Sequence, residues 1–288
     1  MKFKLYVAAV IAVALLAVPA IAPAAVSWTT GTITGTPSGN IVDVAWNKVQ
    51  SPSGQFFVAI TDGGTGSNDI LTSTDGKSWS VSSSGVTGTW NAVEYGGLSN
   101  RFYVVGDADK AMVSADATAT SWALMPVGTG NYEHVSCGSG CNWTALGVSQ
   151  SETIWMFADN GKALWNFNGT QAFSEPSSGY MTNWPANNAT SVVVSYPTYG
   201  GRDRLWAFGS VSGSPTAALQ IYPNWANESS SAPFASGVGT VLAAAASWLN
   251  YYPAVSDFVI AGTGGVYTST SGDSGSWSSA SVPSLSFA

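Results

Sequence analysis

One pattern of short apolar runs recurs five times between Ile41 and Ala288, and it constrains the fold more than any other feature of the chain. Its clearest copy begins at Ile41 and ends at Gly85. This copy contains four short β-rich runs, separated by the Gly, Ser, Asp and Asn residues that are typical of turns. Four short strands in each repeated unit are typical of β-propeller blades. The sequence therefore predicts an all-β chain, folded as a five-bladed β-propeller of four-stranded antiparallel blades.

The predicted second strand is the easiest to align among the five units. Its copies lie about 45 to 53 residues apart, which is within the range of propeller repeats. They occupy residues 57–60, 102–106, 154–157, 205–209 and 258–262. The first strands are predicted at 42–46, 90–95, 132–137, 191–195 and 241–246. In the last of these, repeat context outweighs the helical propensity of four consecutive alanines.

The first 26 residues have the layout of a secretory signal peptide. Lys2 and Lys4 precede an apolar run, and Ala22-Pro23-Ala24 ends it with small residues. We therefore predict that residues 1–25 are removed on export and that residues 26–288 form a single β-propeller domain. The protein is then secreted, periplasmic or located at the cell surface. The alternative is an uncleaved membrane anchor over residues 5–26, a length that can span a bilayer.

The charge balance argues against a nucleic-acid partner. The chain has 9 Lys and Arg against 16 Asp and Glu, a formal net charge of −7. Binding along a phosphate backbone requires clustered Lys and Arg. Charged residues are only 9% of the chain, whereas aromatic residues are 12%. These proportions favour a glycan or a protein surface as the partner, and they suit aromatic contacts better than charge pairs.

The two cysteines, Cys137 and Cys141, lie in the sequence Cys-Gly-Ser-Gly-Cys. In an exported protein this spacing predicts a small disulfide ring within a loop. A metal site would need further ligands, and the nearest histidine is His134, which lies in a predicted strand. Two free thiols are the remaining alternative. We therefore predict a disulfide and no metal.

A turn motif follows the predicted third strand of three units. Residues 73–79 read Ser-Thr-Asp-Gly-Lys-Ser-Trp, and two looser copies occur further along the chain. The motif resembles the Asp box of sialidase-like (BNR) propeller repeats, whose pattern is roughly Ser-x-Asp-x-Gly-x-Thr-Trp. The resemblance implies an Asp-box propeller in which these side chains build the turn and carry no chemistry. The structural positions of the box are Ser73, Asp75, Gly76, Trp79, Ser114, Asp116, Trp122, Asp273, Gly275 and Trp277.

Sialidase activity, which the resemblance to sialidase-like repeats also suggests, is not predicted for this chain. Sialidases of this type bind the substrate carboxylate with three arginines, because guanidinium groups form paired hydrogen bonds with carboxylates. This chain contains only Arg101, Arg202 and Arg204, and the last two share one predicted loop. No catalytic residue is therefore assigned.

Three carboxylates and five aromatic residues are the candidate ligand-binding side chains. Asp62, Asp107 and Asp159 each follow a second strand, so a propeller would bring them to one face. There they would form a Ca²⁺ site or a catalytic carboxylate pair, or they are ordinary turn residues. The aromatic candidates lie on predicted long loops of the opposite face, where they stack on sugars or cover the ends of the sheets. They are Trp143, Tyr199, Trp248, Tyr251 and Tyr252.

We interpret the chain as an exported, non-catalytic binding or interaction module without a required cofactor. Its partner would be a glycan or a protein surface, bound by propeller loops. One alternative is a glycoside hydrolase that uses the carboxylates at the channel mouth. The other is a structural component of a cell surface or a virion.

Overall fold

The computed structural model describes residues 31–47, 55–96, 99–116, 118–128, 133–148, 154–166, 173, 187–195, 204–211, 214–221, 227–228, 241–246, 258–269 and 277–280. These residues form 20 β-strands and no α-helix, which confirms the prediction of an all-β chain. In this described part, no helix is long and apolar enough to cross a membrane. The predicted signal peptide lies outside it.

The chain divides into two compact units, of which Ala24–Ser177 is the first along the sequence. This unit contains three sheets. The first sheet consists of β1 (Thr32–Thr34), β2 (Ile41–Trp46), β3 (Phe57–Thr61), β4 (Ile70–Ser73) and β5 (Ser78–Ser82). The second consists of β6 (Trp90–Gly96), β7 (Arg101–Gly106), β8 (Lys110–Ser114) and β9 (Trp122–Leu124). The third consists of β10 (Trp143–Val148), β11 (Ile154–Ala158) and β12 (Ala163–Asn166).

The other unit includes Ser178–Ala288 and contains two sheets. One consists of β13 (Asn187–Ser195), β14 (Arg204–Val211), β15 (Ser214–Ile221) and β16 (Asn227–Glu228). The other consists of β17 (Val241–Ala246), β18 (Phe258–Gly262), β19 (Gly265–Ser269) and β20 (Ser278–Ala280). Strand β17 contains the four alanines, so pairing with β18 overrides their helical propensity as predicted.

Apart from β1, which pairs in parallel with β5, neighbouring strands pair antiparallel in every sheet, and the first antiparallel pair repeats one irregularity. In β2, Ile41 faces Thr61 and Asp43 faces Ile60, so one residue between them is unpaired. The same β-bulge occurs at the second residue of β6, β10 and β17. A bulge bends its strand and increases the local twist. The sequence repeat is therefore also a structural repeat, down to the position of this bulge.

The second sheet lies between the first and the third, and β7 shows this by alternation. Phe102 and Val104 belong to the apolar core shared with the first sheet, whereas Tyr103 and Val105 belong to the core shared with the third. Successive side chains of a strand point to opposite faces, so β7 must be apolar from Phe102 to Val105. This double burial explains why the second strands were the clearest signal in the sequence.

Two sequence predictions concern where individual strands lie and pair. The first strand of the third sheet was predicted at 132–137 but is β10, because His134 instead forms isolated bridges with Val127 and Phe173 and the disulfide loop follows it. The Ser-Trp pair at 27–28 resembles those at 78–79 and 276–277 in the predicted outer strands, which predicts that residues 27–31 pair with the C-terminal sheet. Residues 27–30 lie outside the described part, and the adjoining strand β1 pairs in parallel with β5 of the first sheet.

Candidate functional site

Two of the three predicted carboxylates close the same hydrogen-bonded ring in different sheets. The Asp62 N–H donates to the Asn40 carbonyl at 3.0 Å, and the Asp62 carboxylate accepts from the Asn40 N–H at 2.7 Å and from its Nδ2 at 3.2 Å. Asp159 and Asn142 repeat these three bonds at 2.9, 3.0 and 2.9 Å. Each ring ties the end of a second strand to the start of the first strand of its sheet.

Asp107, the third carboxylate, occupies the same position in the second sheet. Its N–H donates to the Thr89 carbonyl at 2.9 Å, but threonine lacks the amide that closes the ring in the other two sheets. The Asp107 carboxylate instead accepts from Asn91 Nδ2 at 2.8 Å, and that amide also donates to the Trp143 carbonyl at 2.9 Å. All three carboxylates therefore hold strands in place, as turn residues do.

Two further aspartates, Asp69 and Asp109, join neighbouring sheets. Asp69 is fully buried before β4, and it accepts from Trp90 Nε1 at 3.0 Å, at the start of β6. It also accepts from Ser84 N–H and Oγ at 2.8 and 2.5 Å. Asp109, before β8, accepts from Trp143 Nε1 at 2.9 Å, at the start of β10. An aspartate before a third strand thus binds the indole that opens the next sheet, and we call each such pair an Asp–Trp latch.

This latch corrects the prediction for Trp143. The residue was expected on an exposed loop but is the first residue of β10, and its side chain is fully buried. Its ring also meets the His134 ring edge-on, with centroids 6.0 Å apart. Trp143 therefore has no face to offer to a ligand. The remaining aromatic candidates lie outside the described residues; they are Tyr199, Trp248, Tyr251 and Tyr252.

The turn between β4 and β5 is organised by the motif at residues 73–79. Asp75 Oδ1 accepts from the N–H groups of Lys77 and Ser78, both at 2.7 Å, and from Ser73 Oγ at 3.0 Å. The backbone bonds from Ser78 and Lys77 hold the pKa of Asp75 well below its ordinary value. Gly76 adopts φ +69°, a conformation that favours glycine. Trp79 Nε1 donates to the Gly76 carbonyl at 3.2 Å, so the tryptophan closes the turn.

In the second copy of the motif, the aspartate again holds its turn by hydrogen bonds, but with different partners. Asp116 accepts from the Thr118 hydroxyl at 2.7 Å and from the Thr118 N–H at 2.8 Å, and the hydroxyl bond is the main cause of its lowered pKa. Ser114 Oγ donates to the Asp116 carbonyl at 2.7 Å, and Trp122 begins β9. In the third copy Trp277 is buried against Phe258, whereas Asp273 and Gly275 lie outside the described residues.

Trp46 is the one exposed aromatic residue among the side chains whose exposure the structure describes. It ends β2, and 41% of its surface is exposed. Its ring stacks on Phe57, with centroids 5.9 Å apart and planes 14° from parallel. The Phe57 ring in turn meets Trp79 edge-on at 6.3 Å. Trp46 was not a sequence candidate because it belongs to a predicted strand; its position at the strand end was the available signal.

Asp43 links β2 of the first sheet to β6 of the second. Its Oδ2 accepts from the Val93 N–H in β6 at 2.8 Å, and its Oδ1 accepts from the Val44 N–H at 2.8 Å. Burial raises the pKa of Asp43 to about 7, opposed by the bond from Val93 and reinforced by the charge of Glu94. The carboxyl therefore keeps its proton to a higher pH than an ordinary aspartate does.

The two cysteines form a disulfide that is held between two turns. The Cys137 N–H donates to Asp109 Oδ1 at 3.1 Å, and the Asp109 N–H donates to the Cys141 carbonyl at 3.1 Å. From the third sheet, Asn160 Nδ2 donates to the Cys137 carbonyl at 2.8 Å. The loop thus joins the β7–β8 turn to the β11–β12 turn.

Comparison with known proteins adds little beyond these contacts. No protein-family model and no curated protein matches the chain. Two similar solved structures are extracellular domains of proteins assigned as the hybrid two-component systems BT3049 and BT4673 of B. thetaiotaomicron. The first is 9% identical over 82% of this chain and 29% of its own, with a TM-score of 0.49. The second is 10% identical over 80% and 27%, with a TM-score of 0.48. The chain thus spans less than a third of either neighbour.

Proposed function

We propose that this protein is an exported, non-catalytic module that binds glycans, and that it is built as a five-bladed propeller of the Asp-box type. The five repeated sheets and their shared β-bulge support this architecture. The hydrogen bonds of Asp75 support the Asp-box assignment, since that carboxylate organises its own turn. The basic and apolar start of the sequence supports export.

The exposed ring of Trp46 is the observation that carries the glycan proposal. Sugar rings present apolar C–H faces, and an exposed indole that is already held in place can stack on such a face at little entropic cost. Phe57 holds the indole by stacking on one face, and Trp79 supports Phe57. The chain carries few charges, so aromatic contacts would supply most of the binding energy.

The carboxylates give the reason for a non-catalytic role. A glycoside hydrolase needs two carboxylates on either side of the bond, free to exchange protons or attack the sugar. Asp62 and Asp159 are each engaged by a backbone N–H and a side-chain amide, and Asp107 is engaged by Asn91. The described residues therefore favour binding over hydrolysis.

A glycan array probed with the labelled full-length protein tests the proposal, followed by calorimetric titration of any glycan that binds. Replacing Trp46 by Ala should weaken binding about tenfold or more, which corresponds to roughly 1.4 kcal/mol or more. Trp46→Tyr should retain part of the affinity, because an aromatic face remains. Leu124→Ala is the matched control, since Leu124 is 49% exposed in another sheet.

Two outcomes would contradict the proposal. One is a protein that binds no glycan on the array. The other is a glycan whose affinity changes equally in Trp46→Ala and Leu124→Ala. Trp248→Ala and Tyr252→Ala, tested in parallel, examine the loop positions predicted from the sequence.

Intact-mass measurement of the protein from its natural source tests export separately. Loss of about 25 residues from the N-terminus is expected for signal-peptide cleavage. A mature chain that retains these residues would contradict cleavage and favour the membrane-anchored alternative.

A further inference from the structure

A row of cross-strand neighbours begins at Trp46 and crosses the whole first sheet. In the strand order β2-β3-β4-β5-β1, Trp46 faces Phe57, and Phe57 faces Ser73. In the two outer strands, Trp79 faces Ile33. The Trp79 ring also contacts the Phe57 ring edge-on across β4, with centroids 6.3 Å apart. We call these five residues the aromatic row.

The aromatic row lies on the face of the first sheet that is turned away from the second sheet. Ala45 of β2 and Val58 and Ile60 of β3 belong to the core that the first two sheets share. Successive side chains of a strand point to opposite faces, so Trp46 and Phe57 lie on the other face. Residues directly opposite each other on neighbouring strands share a face, and the rest of the row therefore lies there too.

Both ends of the aromatic row are accessible to solvent. Trp46, at the β2 end, is 41% exposed, and Ile33, at the β1 end, is 45% exposed. Phe57 and Trp79, between them, are partly exposed. Further along β4 on the same face, Leu71 is fully buried. The aromatic row is therefore the exposed rim of a face that is otherwise covered.

The length and the chemistry of the aromatic row restrict what can occupy it. Neighbouring strands lie about 4.8 Å apart, so the four steps from β2 to β1 span about 19 Å. A single sugar ring covers only one position of such a row, whereas a short unbranched sugar chain can follow all of it. None of the five side chains carries an ionisable group, so the row offers no partner to a charged glycan.

We propose that the aromatic row binds a neutral, unbranched oligosaccharide that lies across the strands from β2 to β1; this inference rests on the glycan-binding function proposed above. Trp46 stacks on one sugar ring, and Trp79 and Ile33 contact sugars further along the chain. Each added sugar then buries more apolar surface until the row is filled. The ligand is thus recognised by its length and its extended shape, not by a single terminal sugar.

Titration calorimetry of the full-length protein with oligosaccharides of increasing length tests this inference. The probes are the cello-, xylo-, manno- and chito-oligosaccharides, from the monosaccharide to the hexasaccharide. In at least one series we expect the affinity to rise about tenfold or more from the disaccharide to the hexasaccharide. The affinity should not depend on salt, because the row carries no charge.

Substitutions at the two ends of the row separate length recognition from binding at Trp46 alone. Ile33→Ala should weaken binding of the hexasaccharide about threefold or more and leave the disaccharide unchanged, whereas Trp46→Ala should weaken both. Ile33→Trp should strengthen binding of the hexasaccharide, because it extends the aromatic surface. Leu124→Ala, on the second sheet, is the matched control and should bind every length like the wild type. Urea denaturation of each variant verifies that it is folded.

The outcomes distinguish this inference from the function on which it rests. An affinity that is lost in Trp46→Ala but is equal for all chain lengths leaves glycan binding intact and overturns the row. A length dependence that neither Ile33 variant changes, or that Leu124→Ala changes equally, also overturns it. Failure of all four series overturns it too, and the glycan array then decides whether the protein binds any glycan.

Discussion

Replacing Asp69 by Ala removes the carboxylate of the first Asp–Trp latch and tests the idea that these latches hold neighbouring sheets together. Asp69 and Trp90 are both fully buried, and Ser84 is 7% exposed. The carboxylate accepts three hydrogen bonds, from Trp90 Nε1 and from the N–H and Oγ of Ser84. Trp90 opens the second sheet, whereas Asp69 precedes β4 in the first.

The structure sets the size of the expected effect. After the substitution Ser84 Oγ can still donate to the Val86 carbonyl, which lies 3.1 Å away. Among the described residues, the Trp90 indole N–H and the Ser84 backbone N–H have no such alternative acceptor, and both stay buried. An orphaned buried donor costs about 1–3 kcal/mol, so two of them predict a loss of about 4 kcal/mol in the free energy of unfolding. This is a large part of the 5–15 kcal/mol that is typical of native proteins.

Urea denaturation followed by tryptophan fluorescence measures this loss. Asp62→Ala is the matched control, because the Asp62 carboxylate accepts two hydrogen bonds but is exposed. Water can therefore bond to the donors that lose the Asp62 carboxylate. The control should lose about 1 kcal/mol or less. A double-mutant cycle with Trp90→Phe should give a coupling energy of about 1–3 kcal/mol for the indole–carboxylate pair.

The reasoning fails if Asp69→Ala and Asp62→Ala destabilise the protein equally. It also fails if the cycle finds no coupling between Asp69 and Trp90. Either result would mean that burial of the apolar cores alone holds the two sheets in register.

Three further predictions follow from individual residues. The pKa of Asp43 is raised from 3.8 to about 7, so the folded state holds more protons than the unfolded state between these two pH values. The free energy of unfolding should therefore fall as the pH rises through this window. Asp43→Asn should flatten that part of the pH profile, measured by urea titrations. The pKa of Asp75 is lowered instead, so the Asp75 carboxylate stabilises the folded protein fully above about pH 4, and this contribution is lost below it. The difference in the free energy of unfolding between wild type and Asp75→Asn should therefore shrink on acidification. Gly106→Ala should cost about 3 kcal/mol in thermal unfolding, because the added Cβ would overlap the Thr89 carbonyl. Gly85→Ala, at φ +72° with open space around it, should cost about 1 kcal/mol.

The sequence predicted those features whose causes are local or periodic. The second strands were found because burial on both faces makes them apolar throughout, as β7 shows. The turn between β4 and β5 was found because Ser73, Asp75 and Gly76 bond within six residues of one another. Strand β17 was found because its place in the repeat was a better guide than the propensity of alanine.

The features that the sequence did not predict depend on contacts between distant residues. The partner of Trp143 is Asp109, 34 positions earlier, and that contact turns an apparent loop aromatic into a buried strand residue. The role of Asp69 depends on Trp90, 21 positions later. No local pattern distinguishes such an aspartate from an ordinary turn residue, because the turn and the latch use the same side chain.

The repeat also indicates where function can reside, through one register position that two sheets use differently. Trp46 in β2 and Tyr95 in β6 both face the phenylalanine that follows the hairpin, Phe57 and Phe102. Tyr95 is 3% exposed within the core between the first two sheets, whereas Trp46 is 41% exposed. The residues that repeat among the first three sheets hold strands and sheets together, so their side chains are already engaged. Binding therefore depends on positions where one sheet departs from the others, and among the described residues Trp46 is such a departure with an open aromatic face.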